Sequence, residues 1–310
     1  MPTRSTHNIS ADSLRELMES MVKAAGCDED TAKIVADVHI EADMRGHVFQ
    51  GLDHMFDLIL GIQSGDINPT GKPIISKEGD AWALINGNRG PGHPAAVLGT
   101  EVAINKARTS GCCTIGIRNS ADIYIIGYYV EKLARAGLIG ILTTNGGPLV
   151  HPHGGIEAIL GTNPIAIGIP TDAENPIVLD MATSAIAGSY IRQAAYHGEQ
   201  IPEGVGIDGK GVSTTDSAVI DRRLGGTGAI SPMAGHKGFG LGLCFAIMAG
   251  PLVGAEMGKE LVDGTPKGHI LMAINPSVFG DTTTFQKSVS SQLNKIKKSR
   301  KAPNIKEILI

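Results

Sequence analysis

The chain predicts an α/β fold with an N-terminal helical unit, on three observations. Three helix-like stretches fill the segment before Gly65-Asp66. Strand and helix patterns then alternate from Cys113 to Thr144, which argues for helices layered on a sheet. Glycine is abundant, 41 of 310 residues against six Phe, five Tyr and one Trp, so the backbone must turn tightly at many points.

Each element has a local reason. Ser10 is placed to cap a first helix, which runs through Ser13 and Leu14 to about Ala25 and stops at Gly26. A second helix, about Asp28 to Met44, carries Ile34, Val35, Val38 and Ala42 at helical spacing and breaks at Arg45-Gly46. A third runs from about Phe49 to Ser64. These three are expected to form one unit over residues 1–70, packed back onto an α/β region of residues 71–310. Short, turn-bounded strands are expected at Pro73–Ser76 and Ala81–Ile85. Gly87-Asn88-Arg89-Gly90 then leads to a helix at about Ala95 to Ser110. Strand Cys113–Ile117, helix Ile125–Ala136 and strand Gly140–Thr144 give the alternation. Gly and Pro punctuate residues 149–235, where Ile165–Ile169 and Ile177–Leu179 read as strands. Ala234–Val253 reads as one long apolar helix. Strand Ile270–Ile274 precedes a basic helix, about Thr284 to Lys298, whose cationic end suits the negative pole of the helix dipole.

Composition narrows the function. At 42% hydrophobic content the chain can bury a large core. A net charge of −4 offers no basic footprint for nucleic acid. Cys27, Cys112, Cys113 and Cys244 lack metal or redox spacing and read as free thiols. The N-terminus is polar, with no apolar signal core, and no stretch is expected to approach the roughly 18–20 apolar residues of a membrane span. The expectation is a cytoplasmic protein with a small-molecule substrate and neither a nucleic-acid nor a membrane partner.

One motif is a decoy. Gly90-Pro91-Gly92-His93-Pro94-Ala95 matches G-x-G-x-x-A between a strand and a helix. Pro91 and Pro94 lack the N–H groups a pyrophosphate would need. The next strand closes at Ile117-Arg118-Asn119 without an acidic residue. A tight strand-to-helix turn is the simpler reading.

Other blocks carry the identification. Gly161-Thr162-Asn163-Pro164-Ile165-Ala166 is followed by Asp180-Met181-Ala182-Thr183-Ser184, and later by Gly235-His236-Lys237-Gly238-Phe239-Gly240-Leu241-Gly242. Gly65-Asp66-Ile67-Asn68-Pro69, Gly127-Tyr128-Tyr129, Thr144-Asn145 and Ile201-Pro202-Glu203-Gly204 complete the series. In this order they resemble the malate/L-lactate dehydrogenase family, which includes ureidoglycolate and sulfolactate dehydrogenases and diketogulonate reductase. The resemblance implies a family-specific, non-Rossmann mixed-sheet fold, a homodimer, and NAD or NADP as cofactor. It also implies that Asp180, Met181, Ala182, Thr183, Ser184, His236, Lys237 and Gly238 contact that cofactor. Independently, a helix opening at His236-Lys237-Gly238 would offer free N–H groups and a cation to phosphate. Members of the family usually continue beyond the point corresponding to Ile310.

The chain departs from the family at its substrate site. The family carries Ser-His-Gly near the start of the third helix, an Arg four residues after that His and a Tyr four further on. Here the positions read Phe49-Gln50-Gly51, His54 and Leu58. A second family His, after an Asn-Ser strand end, reads Asp122 in Asn119-Ser120-Ala121-Asp122. Gln50 cannot titrate, His54 grips a carboxylate less well than Arg, and Asp122 would repel an anion unless protonated or paired. His47, Gln50, His54 and Leu58 would share one helix face if the helix reached back to His47. Tyr124 stands where the family usually has Gly, and His151 and His153 flank Pro152.

The functional expectation is an NAD(P)-dependent oxidoreductase, moving a hydride between nicotinamide and a carbonyl or imine carbon of an atypical small substrate. His54 or Asp122, with Gln50 beside them, would handle the proton; His47, Asn119, Tyr124, Thr144, Asn145 and His153 would position substrate. A metal held by His151, His153 and Asp122 has only an i, i+2 pair in its favour, and none is expected. A lyase or isomerase on the same scaffold, or a non-catalytic nucleotide-binding homologue, stays open.

Overall fold

The computed structural model describes residues 8–47, 50–261 and 264–310. Three helices open it: α1 (Ala11–Ala24), α2 (Glu29–Met44) and α3 (Leu52–Gln63). Ser10 caps α1 by accepting from Ser13 N, and Asp28 caps α2 by accepting from Thr31 N, so both helices start where a short polar side chain satisfies a free N–H. α3 starts later than its sequence pattern suggests. Its cap is Gly51, and its first N–H, on Leu52, donates to Asp43 Oδ2 at 3.1 Å. Phe49 lies outside the described residues. Met18, Val22, Val35, Ile40, Met55 and Leu58 bury a core of their own among these helices. Val38 and Ala42, also on α2, join the main core instead.

The rest of the chain runs β1 (Ile74–Gly79), β2 (Trp82–Asn86), α4 (Gly92–Ser110), β3 (Cys112–Ser120), α5 (Gly127–Arg135), β4 (Ile139–Thr144), β5 (Ile165–Ile169), β6 (Ile177–Met181), α6 (Gly188–His197), β7 (Gly206–Ile207), β8 (Ala229–Ile230), α7 (His236–Ala249), β9 (Lys267–Ile274) and α8 (Thr282–Lys297). Seven strands form one mixed sheet in the order β1-β2-β3-β9-β4-β5-β6. Only β2 and β3 pair in parallel. A β3–α5–β4 alternation would ordinarily set β3 and β4 side by side. Instead β9 lies between them, antiparallel to both. Its residues from Gly268 to Leu271 are all buried, as a central strand covered on both faces requires. The two faces are separately packed. A Cβ on Gly99 of α4 would touch Ile117 at 3.2 Å, whereas one on the intervening Gly116 would meet Val253 at 2.9 Å.

Two further features depart from the sequence reading. α7 breaks at Gly250, and Pro251–Val253 forms a separate 3-10 turn. His236–Val253 is nonetheless one 18-residue stretch of mean hydropathy 1.3, long and apolar enough by those measures to match a membrane span; a third of it is buried. The G-x-G-x-x-A decoy proves to be a packing device. A Cβ on Gly92 would strike the carbonyl oxygens of Ala121 and Asp122, so the first turn of α4 lies directly on the loop after β3.

Candidate active site

Four elements bring their polar residues together above the end of β3. His39 comes from α2, His54 from α3, His93 from the first turn of α4, and Tyr124 from the loop between β3 and α5. The Tyr124 ring stacks on His93, with centroids 5.0 Å apart and planes 14° apart, and lies 4.7 Å from His39 and 5.5 Å from His54. Tyr124 holds a φ of 59°, the left-handed region that favours glycine and disfavours a bulky side chain. Glycine would suit this backbone; here an aromatic ring occupies the strained position.

Burial sets the charge state of this cluster. It pushes the imidazoles of His39 and His54 down to about 4, and that of His93 well below its ordinary value. Burial likewise holds the Tyr124 phenol well above the usual range. At neutral pH all four rings are uncharged. Their hydrogen bonding is incomplete. His39 Nδ1 is 2.8 Å from the Gln50 carbonyl oxygen. His39 Nε2, Gln50 Oε1 and both ring nitrogens of His54 and His93 are buried without a partner among the described residues. Buried polar atoms are ordinarily satisfied, so this concentration makes the cluster the candidate place for a ligand.

Charged groups border the rings. Asp122 pairs with Lys267, the first residue of β9. Burial alone would raise the Asp122 carboxyl, but the Lys267 ammonium outweighs it and holds the group far below the usual carboxylate range. Asp122 Oδ1 also accepts from Ile123 N at 3.0 Å, fixing the turn that carries Tyr124. Of the alternatives that the sequence leaves for Asp122, repulsive, protonated or paired, the structure shows the pair. Two residues along β9, His269 is fully buried and bonds Thr144 Oγ1 through Nδ1 at 2.6 Å; burial pushes it down to about 4. On the other side Asp57 Oδ2 lies 3.9 Å from His54 Nε2. Asp57 takes Arg192 of α6 at 2.7 Å and Arg223 at 2.6 Å.

The remaining sequence candidates divide. Leu58 is fully buried in the N-terminal helical core. His47 is exposed in the turn after α2, so it shares no helix face with Gln50 and His54. Asn145 ties backbone together: its Nδ2 donates to Glu256 O at 2.6 Å and its Oδ1 accepts from Gly268 N at 3.0 Å. Asn119 donates to Asn86 Oδ1 at 2.9 Å. His153 packs against His236, with ring centroids 5.9 Å apart, at the start of α7. Among the described residues no group of three or more His, Cys, Asp or Glu is arranged to hold a metal.

The blocks singled out as cofactor residues meet in one place. Thr183 O accepts from Met233 N at 2.9 Å, and Gly238 N donates to Met233 O at 2.8 Å. A Cβ on Gly238 would come within 2.6 Å of Thr183 O, and one on Gly242 within 2.9 Å of Thr183 Oγ1, so glycine lets α7 lie directly on the end of β6. Several of the side chains are used internally. Thr183 Oγ1 donates to Thr162 O at 2.9 Å and Ser184 Oγ to Ile186 O at 2.7 Å. Asp180 Oδ2 accepts from Gly127 N at 2.7 Å, at the start of α5. The first turn of α7 is also less open than a bare helix end, because Gly238 N is taken by Met233 O. Lys237 remains exposed and without a partner among the described residues.

Sequence reasoning misses His39, His93, Lys267, His269, Asp57 and the two arginines. A histidine within the apolar run of α2, and Lys267 and His269 alternating on one strand, are weak signals for them. Nothing in the sequence joins these separate regions.

The family described as malate/L-lactate dehydrogenase matches residues 9–310. A malate/(S)-sulfolactate dehydrogenase of Methanothermus fervidus is 40% identical over 300 residues, covering 94% of this chain and 86% of that protein. The NAD(+)-dependent ureidoglycolate dehydrogenase of Escherichia coli is 29% identical, covering 97% and 86%. Malate dehydrogenase from Entamoeba histolytica superimposes with a TM-score of 0.94 at 32% identity, covering 98% of this chain and 88% of that one.

Proposed function

The chain belongs to the malate/L-lactate dehydrogenase family and is a dehydrogenase or reductase, and we propose that it uses NAD or NADP to interconvert a carbonyl or imine carbon with its reduced form in an atypical small substrate. The observation that carries this reading is His54: both of its ring nitrogens are buried within a polar cluster and have no hydrogen-bond partner among the described residues. The cofactor end is supported by Lys237, an exposed cation at the start of α7 with no partner among the described residues, and by Gly238 and Gly242, where side chains would close the surface against Thr183. Lys237 would pair with the nucleotide's phosphates, and the chain from Met181 to Ser184 and from His236 to Gly238 would line its site; the side chains of Asp180 and Thr183 would hold the site's shape. When bound, the nicotinamide supplies or receives the hydride.

The chain's own residues manage the proton. Of the two candidates, His54 is the better donor. A buried neutral imidazole can donate N–H to a developing alkoxide or amide. Asp122 is kept ionised by Lys267, so its part is to hold the turn that sets Tyr124. Gln50 Oε1 adds an acceptor beside His39. We place the protein in the cytoplasm as a homodimer; exposed Leu241, Ile247 and Leu252 on and after α7 support the assembly.

The test is a thermal-shift screen with NAD(H) and NADP(H), since ligand binding to the native state raises its apparent stability. Oxidation of NADH or NADPH is then followed across ketones, imines and 2-oxo acids. Binding without oxidation of the cofactor by any of them would overturn the redox reading in favour of a lyase, an isomerase or a nucleotide-binding homologue.

A further inference from the structure

Resting on that reading and deepening it, we infer that the substrate carries at most one negative charge and that its far end is a neutral hydrogen-bond donor, a primary amide or hydroxyl, received by His39 and Gln50.

Two independent observations lead there. The first is hydrogen-bond polarity. A carbonyl oxygen only accepts, so the 2.8 Å contact to Gln50 O makes His39 Nδ1 the donor. In the neutral ring Nε2 is then a bare lone pair. His39 is fully buried, and Nε2 has no partner among the described residues. Gln50 Oε1, a second acceptor on the residue His39 is bonded to, is also buried and without a hydrogen-bond partner among the described residues. Two buried acceptors call for donors. A carboxylate or sulfonate has none and would set its oxygens against both lone pairs; an amide NH2 or a hydroxyl meets them.

The second is charge. Among the described residues, the charged groups whose fields reach the ring cluster are Asp57, Asp122, Arg192, Arg223 and Lys267. Lys267 is matched by Asp122, and Asp57 is shared by the two arginines. One positive charge is left over. It suits a single carboxylate and leaves nothing for a second anion. A cationic donor at the far end is disfavoured by the same surplus.

The pair that separates the possibilities is oxaloacetate and its 4-monoamide, 2-oxosuccinamate, alike in size and differing by one charge and by donor capacity. With the wild-type protein and saturating reduced cofactor, kcat/KM for the monoamide should exceed that for oxaloacetate by at least about 100-fold, because a site built around buried hydrogen-bonding groups rejects a ligand that leaves them unmatched. Replacing the acceptors, in His39→Leu and separately in Gln50→Leu, should bring the ratio to within about tenfold. Equal or reversed preference in the wild type overturns the inference and leaves the oxidoreductase reading standing. Turnover of neither compound, nor of any in the wider panel, by protein that binds reduced cofactor overturns both. If either variant fails to fold, the wild-type ratio alone decides.

Discussion

At the scale of single residues, the site differs from a surface cluster in how its groups are kept from water. His54 is worth little as a carboxylate clamp, being uncharged at neutral pH. Its value is two unpartnered nitrogens in a dry, aromatic setting. Replacing His54 with Ala should lower kcat by about 100-fold or more, the usual worth of a positioned acid or base, with cofactor affinity unchanged by fluorescence titration. Asp122→Asn should cost less in kcat, since a carboxylate locked to Lys267 is not the proton donor. A greater loss in Asp122→Asn than in His54→Ala would reverse the assignment. Tyr124 shows why residue identity alone misleads. Its number and type are plain in the sequence, but its left-handed φ and its stack on His93 are set by the backbone around it.

Between elements, Asp180 is the clearest case of one group serving structure where the family resemblance suggests ligand binding. It stands on β6 and accepts from the first N–H of α5. Burial raises its carboxyl to about 6, with the Gly127 bond opposing. A folded-state value above that of the unfolded chain means a stability contribution fully present below about pH 4 and lost as pH rises through about 6. At pH 8 the buried charge is a burden. Asp180→Asn keeps the acceptor and sheds the charge, so it should be at least as stable as wild type at pH 8. Asp180→Ala should lose about 1 kcal/mol through the missing helix-start bond. Urea denaturation of the three proteins at pH 5 and 8 checks this; Asn and Ala variants of equal stability would deny Asp180 its capping role.

For the molecule as a whole, the histidine cluster makes folding sensitive to acid. His39, His54 and His269 sit near 4 when folded and rise to about 6.5 when unfolded, and His93 moves in the same direction. The unfolded chain therefore binds more protons in that window. Stability is fully present above about pH 6.5 and falls as pH drops toward 4, at up to about 1.4 kcal/mol per pH unit for each histidine. Asp180 acts with the opposite sign between its ordinary value and about 6, and offsets one of the four. Urea midpoints should decline steadily from pH 7 to pH 5, and less steeply in His93→Phe. Midpoints flat across that range would mean the rings are already solvated or charged.

The sequence by itself determined the family, the layered fold and most element positions. Those features rest on short-range physics: Ser10 and Asp28 cap helices a few residues away, and glycine blocks mark places where backbones must touch. Its reading of the substrate loop held only in part, because α3 begins where Asp43 can reach Leu52 N, a contact between helices that no local pattern announces. The tertiary structure alone decided the rest. It placed β9 between β3 and β4, and so brought Lys267 to Asp122 across 145 residues. It set His39, His54, His93 and Tyr124 face to face from four separate elements. Whether a buried imidazole is neutral, and which of its nitrogens lacks a partner, depends on what the whole fold packs around it.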